Sequence, residues 1–258
     1  MKKFLSLVLA MIFVLSFAAC GAKTAEDEKE GKTWIIAMDT VFRPFEYTDA
    51  NGDFVGIDVE IINAVAEDQG LKIEIKSLGW DAAIQACKTG QADGMIAGAS
   101  ITDDRKSKGW IFSDGYYTAT QCMAVAADSD IKGFEDLKGK KVAVKRTTQG
   151  AEYAESLKDK YGFEIVVYED SPTMYQEVLS PAKGSCVACF EDTPIMRDSI
   201  KTGSVKLKVV EGTENEGGEY GFAIFDENKK ELLDAFNAGL KNIKANGKYD
   251  EILAKYLG

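Results

Sequence analysis

The chain has 258 residues, of which 45% are hydrophobic and 28% charged, a composition typical of one or two soluble α/β domains. Its formal net charge of -11 at pH 7, without a basic patch, argues against nucleic acid as a partner. The absence of histidine excludes His-based triads, His-ligated zinc and acid–base catalysis by imidazole, and we expect neither a metal nor a cofactor.

The chain begins with a segment typical of a secretory signal. Two lysines precede an apolar run from Phe4 to Phe17, which is too short for a typical membrane-spanning helix. Small residues then lead to Cys20, an arrangement that resembles the lipobox of bacterial lipoproteins, in which the cysteine is lipidated. We expect a signal peptide at residues 1–19 and a flexible, lipid-anchored tether at 20–33. The alternative is an ordinary secretory signal with an incidental cysteine.

Strand and helix patterns alternate after the tether. The predicted elements are strands at Trp34–Met38, Leu71–Ile75 and 94–97, a helix capped by Asp58 and ending at Gly70, a helix at Asp81–Thr89, and a hairpin-type turn at Asn51-Gly52. This βαβαβ order predicts a mostly parallel sheet that binds ligands at the carboxyl ends of its strands. Asp39, Trp80 and residues 98–100 follow strand ends, so the sequence places them on one edge.

After a strand at Gln121–Ala126 and a polar break, a second, similar unit begins. Its predicted elements are strands at Lys141–Val144, Glu164–Val167, Cys186–Phe190 and Val205–Val210 and helices at Ala151–Tyr161 and Pro172–Leu179; a strand at Tyr220–Phe225 and helices near Glu231–Asn246 and Tyr249–Leu257 close the chain. We interpret residues 127–221 as a second lobe, and residues 34–126 with 222–258 as the first. Crossovers near Ala126 and Tyr220 would connect the lobes.

Four more cysteines follow Cys20, and two of them have the spacing of a metal or redox site. The Cys186-x-x-Cys189 pair lies in an apolar run, however, and no second CxxC accompanies it. Residues three apart in a strand point to opposite faces. We therefore expect Cys87, Cys122 and this pair to be small, buried core residues, with a disulfide or metal role as the alternative.

Short polar and aromatic motifs lie between the predicted elements. They are Asp39-x-x-Phe-x-Pro44-Phe45-Glu46, Gly56-Ile-Asp58, Ser100-Ile-Thr-Asp-Asp-Arg105, Phe112-Ser-Asp-Gly-Tyr-Tyr117, Asp136-Leu-Lys-Gly139, Glu191-Asp192-Thr-Pro194 and Asn246-Gly-Lys-Tyr249-x-x-Ile252. Together they resemble the polar amino-acid-binding proteins of bacterial ABC transporters, solute-binding family 3, and most of all its glutamine-binding branch. The resemblance covers essentially the whole mature chain. It implies a two-lobed, periplasmic-binding-protein-like α/β fold of type II, with a mixed sheet flanked by helices in each lobe and two hinge crossovers.

The resemblance also implies how the carboxylate of an amino acid would be bound. The planar guanidinium of Arg105 would form a bidentate pair with it, and the hydroxyl of Ser100 would add a bond. Thr147, Thr148 or Gln149 would complete the cage from the other lobe. Which of the three does so stays open, because the family loop usually carries a glycine that is replaced or deleted here. The alternative is that Arg105 pairs with a neighbouring aspartate in a surface turn.

The remaining ligand contacts follow from the same resemblance. Asp192 and the carbonyl of Gly98 would bind the α-ammonium, and Phe42 and Trp80 would form apolar walls that exclude water. Asp192 could instead be only a turn residue, and the two aromatic residues could belong only to the core. The two tyrosines that end the fourth motif are expected to serve packing.

Two charged residues would select the ligand side chain. Asp39 alone suits a cation, but Lys145 nearby would make the field neutral and offer a carboxamide one acceptor and one donor. We therefore predict glutamine or a related polar amino acid rather than lysine or arginine. Arg146 adds a charge near the mouth, which either favours an acidic side chain or faces solvent.

The resemblance implies capture of the ligand by hinge closure and delivery to an ABC permease with its ATPase. The protein would be a monomer outside the cytoplasm, held at the membrane by its lipid anchor. A sensor module on the same fold is one alternative. An enzyme such as a dehydratase is the other, but the chain offers neither histidine nor paired metal ligands.

Overall fold

The computed structural model describes residues 31–180, 182 and 185–257, and the predictions for the signal peptide, for Cys20 and for most of the tether lie outside them. The strands are β1 (Thr33–Met38), β2 (Val41–Phe42), β3 (Glu46–Thr48), β4 (Phe54–Val55), β5 (Lys72–Ser77), β6 (Gly94–Met95), β7 (Ile111–Ala119), β8 (Gln121–Ala126), β9 (Lys141–Lys145), β10 (Glu164–Tyr168), β11 (Ala188–Asp192), β12 (Leu207–Val209) and β13 (Gly218–Ile224). The α-helices are α1 (Ile57–Gln69), α2 (Trp80–Lys88), α3 (Asp103–Ser107), α4 (Gln149–Tyr161), α5 (Ser171–Leu179), α6 (Thr193–Lys201), α7 (Lys230–Ala245) and α8 (Lys248–Leu257). Single 3₁₀ turns occupy Phe134–Leu137 and Glu227–Lys229. Over the described ranges, none of these helices is long and apolar enough to cross a bilayer.

The first lobe is built on a five-stranded sheet of order β5-β1-β6-β13-β7. Strand β1 is parallel to β5 and β6, whereas β13 is antiparallel to β6 and β7, so the sheet is mixed. The apolar side chains of β1 enter two cores, because successive residues point to opposite faces of the sheet. Ile36 and Met38 enter the core shared with α1, α7 and α8, and Ala37 enters the core under α2.

The second lobe repeats this design with a sheet of order β10-β9-β11-β8-β12. Strands β10, β9 and β11 are parallel, and β8 and β12 are antiparallel to the neighbours with which they pair. Val142 and Val144 on β9 face the core that includes Ala154 of α4, and Ala143 between them faces the core that includes Met174 of α5. Helices therefore cover both faces of this sheet as well, and the two-lobed mixed α/β fold is confirmed.

The chain passes between the sheets twice. Thr120 links β7 of the first sheet to β8 of the second, and residues 210–217 link β12 back to β13. Strand β8 was expected in the first lobe, but it pairs with β11 and β12 in the second sheet, because its register continues their ladder. We therefore place the first crossover at Thr120 rather than near Ala126; the remaining lobe boundaries stay predictions.

Several local expectations need correction. Asp58 does not cap α1; Gly56 does, at φ 141°, and a Cβ there would lie 2.0 Å from the carbonyl oxygen of Phe45. Strand β7 was not predicted, because its polar residues conceal the pattern. Helix α6 was not predicted either, because Pro194 looks like the end of an element although proline fits the first turn of a helix. The turn at Asn51-Gly52 is confirmed between β3 and β4.

All four cysteines after the tether are free and buried, as predicted. Cys122, Cys186 and Cys189 lie in one core of the second lobe and Cys87 in a core of the first. Burial raises the pKa of the Cys87 and Cys122 thiols to about 12, so these thiols are inert. The described residues contain no cluster of three or more His, Cys, Asp or Glu side chains that could hold a metal ion.

Candidate ligand-binding site

The predicted site residues come from the edges of the two sheets that face each other. Asp39 follows β1 and Gly98 lies beyond β6 in the first lobe, while Lys145 ends β9 and Asp192 ends β11 in the second. The carboxyl ends of parallel strands share one edge of a sheet, which explains why residues distant in sequence meet here. The contacts that join them cross from one lobe to the other.

Asp39 and Lys145 form an ion pair between the lobes. The Lys145 Nζ lies 2.5 Å from Asp39 Oδ2, and only 5% and 6% of the two side chains are exposed. The ammonium also lies 5.6 Å from the centre of the Phe42 ring and 6.0 Å from that of Trp80. The predicted walls therefore face the predicted selectivity pair, although both aromatic residues also belong to hydrophobic cores.

Arg105 is buried beside this pair. Its Nη1 donates to the Ser100 carbonyl at 2.9 Å and its Nη2 to the Thr147 carbonyl of the other lobe at 3.1 Å. The guanidinium carbon lies 5.3 Å and 5.1 Å from the ring centres of Trp80 and Trp110. Weakly hydrated and planar, a guanidinium suits such stacking.

The alternative role for Arg105, an ion pair in a surface turn, is wrong. The two aspartates next to it pair instead with lysines, Asp103 with Lys106 and Asp104 with Lys108. Arg105 itself is 5% exposed. Its charge is therefore directed into the molecule, towards the facing lobe.

The loop after β9 presents Thr147 to the first lobe. Its Oγ1 accepts from the Trp80 indole at 2.8 Å and donates to Asp81 at 2.6 Å. Its φ of 59° is in the left-handed region, where a β-branched residue is strained. A glycine would adopt this conformation without strain.

The two residues after Thr147 serve the start of α4. The Thr148 side chain caps the helix by accepting from the Ala151 amide at 3.3 Å, and its hydroxyl donates to the Lys145 carbonyl at 2.7 Å. The Gln149 amide donates to Glu152 on the exposed side of the helix. Of the three candidates for the carboxylate cage, only Thr147 bonds to the Arg105 side chain.

Asp192 is held at the crossovers. Its two carboxylate oxygens accept from the Gln121 amide at 2.6 Å and from the Tyr220 hydroxyl at 2.5 Å, and Asn215 in turn bonds to Gln121. Burial and the charge of Glu191 raise the pKa of Asp192 to about 6. It is thus more than a turn residue before Pro194. Sequence analysis missed Gln121 and Tyr220, because nothing in the pattern of a strand end marks a residue that supports another.

Gly98 and Ser100 complete the first-lobe side. Gly98 has φ 55°, and a Cβ there would lie 2.3 Å from the Phe42 ring, so only glycine fits. Its amide donates to Asp58 at 2.8 Å and to the Tyr116 hydroxyl at 3.1 Å. Ser100 is buried and forms an isolated bridge with Tyr220. Asp58 was predicted as a helix cap and Tyr116 as a packing residue, so their bonds to Gly98 were missed.

Two ion pairs join the lobes further out. Arg43 Nε lies 2.8 Å from Asp198 Oδ2, and Arg146 Nε lies 3.0 Å from Asp81 Oδ2. Arg146 also pairs with Glu169 of its own lobe. Two carboxylates therefore balance its charge, which argues against a role in selecting an acidic ligand.

A two-lobed α/β fold in which charged and aromatic residues converge from both sheet edges is typical of solute-binding proteins. The chain belongs to the bacterial extracellular solute-binding proteins, family 3, whose model matches residues 34–258. It is similar to the arginine-binding extracellular protein ArtP of Bacillus subtilis, with 31% identity over 260 residues that cover 99% of this chain and 98% of ArtP.

Solved structures show the same likeness. The arginine-, lysine-, histidine-binding protein ArtJ of Geobacillus stearothermophilus is 34% identical, with a TM-score of 0.78, covering 88% of this chain and 96% of ArtJ. An ancestral arginine-binding protein bound to glutamine is 32% identical, with a TM-score of 0.78 and coverage of 88% and 98%. The relatives are binding proteins, and the family is extracellular.

Proposed function

We propose that this protein binds a polar L-amino acid, with glutamine as the favoured ligand, between its two lobes and delivers it to an ABC permease. The observation that carries the proposal is the buried Asp39–Lys145 ion pair, which lies beside a buried arginine and between two aromatic walls.

Both lobes offer groups that could bind the α-carboxylate and the α-ammonium, which all amino acids share. Arg105 now donates to two carbonyl oxygens, and a carboxylate is a stronger acceptor for its fork than either. The amides in the first turn of α4, together with the helix dipole, add positive potential from the second lobe. Asp192 and the Gly98 carbonyl would bind the ammonium, and the Ser100 hydroxyl would bind the carboxylate.

The ligand side chain would meet the Asp39–Lys145 pair. A carboxamide can donate to the carboxylate and accept from the ammonium without breaking their charge balance. An arginine or lysine side chain would have to displace Lys145 from Asp39 and leave its ammonium buried without a partner, which costs about 3–5 kcal/mol. Several relatives are named for binding arginine, so the relative affinities for glutamine and arginine are the quantities to measure.

Transport then follows from the division of the site. Each lobe alone holds only part of the ligand, so closure about the crossovers completes the site and the closed form is what the permease would recognise. We further propose that Cys20 anchors the protein to the membrane by its lipid and that the protein acts as a monomer without enzymatic activity. Chemical turnover of a bound amino acid would contradict the last point.

Calorimetry with L-glutamine, L-arginine and L-lysine on the protein and its Lys145→Met variant tests the proposal. We expect glutamine to bind most tightly to the natural sequence, and the variant, which leaves Asp39 uncompensated, to prefer the cationic ligands. Lys141→Met, at the exposed start of the same strand, is the control and should change neither preference. Much tighter binding of arginine or lysine than of glutamine by the unmodified protein would contradict glutamine selectivity. Failure to bind any amino acid would contradict the wider proposal.

A further inference from the structure

Two fully buried carboxyl groups lie behind the proposed site. Glu46 on β3 and Asp58 on α1 are each 0% exposed. Oδ2 of Asp58 accepts from the Gly98 amide and from the Tyr116 hydroxyl, both at 2.8 Å. Its Oδ1 and both oxygens of Glu46 have no hydrogen-bond donor within the described part of the chain. Burying three acceptor atoms without a donor is costly, and a proton on one of the two carboxyl groups would supply the missing donor.

The fold brings these two carboxyl groups together. The amides of Ile57 and Asp58 donate to the carbonyls of Pro44 and Phe45, which ties the start of α1 to the segment before Glu46. Gly56 permits this approach, because a side chain there would collide with the backbone of residues 45 and 46. After burial, the negative charge of Asp58 is the largest influence that raises the pKa of Glu46.

The surroundings decide which of the two holds a proton. Asp58 lies in the first turn of α1, where the helix dipole favours a negative charge, and it accepts two hydrogen bonds that stabilise its ionised form. Glu46 receives no such donors from the residues that the structure describes. Burial, followed by the charges of Asp58 and Asp39, raises the pKa of Glu46 well above its usual value, and the charge of Lys145 opposes this only in part.

We infer that Glu46 is protonated at neutral pH and donates its proton to Oδ1 of Asp58, so that the pair holds Gly98 in position for amino-acid binding. This inference rests on the proposed function for its ligand. One proton satisfies the free oxygen of Asp58 and one oxygen of Glu46, and the single remaining charge faces the Gly98 amide. Glu46 and Asp58 are positioning residues, since neither is proposed to touch the ligand.

The consequence is a dependence of binding on pH from a group outside the site. Loss of the shared proton would leave two buried negative charges in contact, which would push Asp58 away from Gly98 and displace the carbonyl that binds the ammonium. The other titratable groups that face the pair are Asp39, Lys145, Tyr116 and, on α8, Tyr249. Burial raises the pKa of Asp58 to about 6, so near neutral pH the pair keeps one proton.

The proton can be tested without any ligand. Infrared spectroscopy at neutral pH should show the C=O stretch of a buried, protonated carboxylic acid, and Glu46→Gln should remove it. Glu191→Gln is the matched control, because Glu191 is equally buried but receives donors from Ser171, Tyr175 and the Asp192 amide. That variant should keep the band. A natural protein without the band, or a band that survives Glu46→Gln, would overturn the inference whether or not glutamine binds.

Stability against pH gives a second readout. A group whose pKa is raised by folding takes up a proton on folding, so its contribution is present at low pH and is lost as pH rises. The Tm of the natural protein should therefore fall more steeply with rising pH than that of Glu46→Gln, whose amide replaces the proton permanently. Equal slopes would count against a protonated Glu46.

The positioning role is tested by calorimetry with L-glutamine and L-arginine. Asp58→Ala leaves the Gly98 amide without its acceptor and should weaken the tighter ligand by about tenfold or more. Asp58→Asn should restore most of this, since its amide oxygen accepts from Gly98 and its NH₂ group donates to Glu46. Glu46→Gln should bind as the natural protein does near pH 7 but lose less affinity as pH rises above neutral. A loss in Asp58→Ala that Asp58→Asn does not rescue, or identical pH profiles for Glu46→Gln and the natural protein, would contradict the role.

Discussion

At the scale of single residues, the guanidinium of Arg105 has a role that lysine cannot fill. It lies against two neighbouring indole rings and donates to one carbonyl from each lobe. Arg105→Ala should weaken amino-acid binding by about 2–5 kcal/mol, because the ligand carboxylate would be buried without a partner. Arg105→Lys should recover only part of this loss, since a lysine offers a point charge without the planar fork. Calorimetry measures both values.

The control for Arg105 is the next residue in the same helix. Lys106→Ala removes a positive charge of similar position, but this side chain is exposed and pairs with Asp103. Its affinity should stay within about twofold of the natural value, as expected for a surface ion pair. Near-normal affinity of Arg105→Ala would refute the site assignment.

Asp192 predicts an acid limit to binding. Its pKa is raised to about 6 by burial and by Glu191, so below that pH it must lose a proton before it can bind the ligand ammonium as proposed. The affinity should therefore fall by up to about tenfold per pH unit as pH drops through about 6. Asp192→Asn should bind more weakly near neutral pH but should not lose further affinity as pH falls, as calorimetry in buffers of different pH can show. If the loss of affinity at low pH persists in this variant, another group causes it, with Asp58 as the first candidate.

Sequence could predict the residues that follow strand ends, but not the ones that support them. Asp39, Lys145 and Asp192 stand where a polar residue interrupts an apolar strand, which is a visible signal. The bond from Gly98 to Asp58 spans 40 residues and the bond from Gln121 to Asp192 spans 71. Such pairings depend on how two lobes and a helix start are packed, and one sequence carries no local trace of them.

At the scale of elements, the loop between β9 and α4 combines backbone strain with hydrogen bonds. Thr147 has a left-handed backbone and gains bonds to Trp80, Asp81 and Arg105 of the other lobe. Strain of this kind persists only where surrounding contacts hold it. The loop is therefore an element that the first lobe helps to fix.

This balance predicts an order of stability among variants of Thr147. Thr147→Val keeps the strained, branched side chain but loses the hydroxyl, and it should lower the free energy of unfolding by about 1 kcal/mol. Thr147→Gly loses the same bonds but relieves the strain, so it should be the more stable of the two by about 0.5–1 kcal/mol. Denaturant titration of both variants measures the difference. A glycine variant less stable than the valine variant would show that the backbone is not strained.

Helices and strands were predictable to different degrees. Helices α7 and α8 show clear amphipathic patterns, and α1, α2, α4 and α5 were found within a few residues of their ends. Strand β7 was missed, since its Phe-Ser-Asp-Gly-Tyr-Tyr sequence mixes polar residues into both faces and bulges against β13. The partner of β8 was also beyond sequence reasoning, because the choice between two mixed sheets is made by long-range pairing.

At the scale of the whole molecule, the two outer ion pairs bear on closure. Arg43 with Asp198 and Arg146 with Asp81 each join residues of different lobes, and both arginines are about half exposed. In the proposed hinge closure, such pairs would favour the closed arrangement by a small amount, and salt would screen them. Because the apparent dissociation constant depends on the fraction of closed molecules, they should affect affinity without touching the ligand.

Arg43→Gln tests this coupling. It should raise the Kd for the bound amino acid by about two- to fivefold at low ionic strength, and the difference from the natural protein should shrink in about 1 M salt. Lys158→Gln is the matched control, because Lys158 is also partly exposed and pairs with Glu155 within helix α4 of the second lobe. That variant should leave the Kd unchanged at both salt concentrations. Equal effects of the two variants would mean that the ion pair of Arg43 contributes only to local stability. Closure would then depend on the buried contacts between the lobes, which join Asp39 to Lys145 and Arg105 to Thr147.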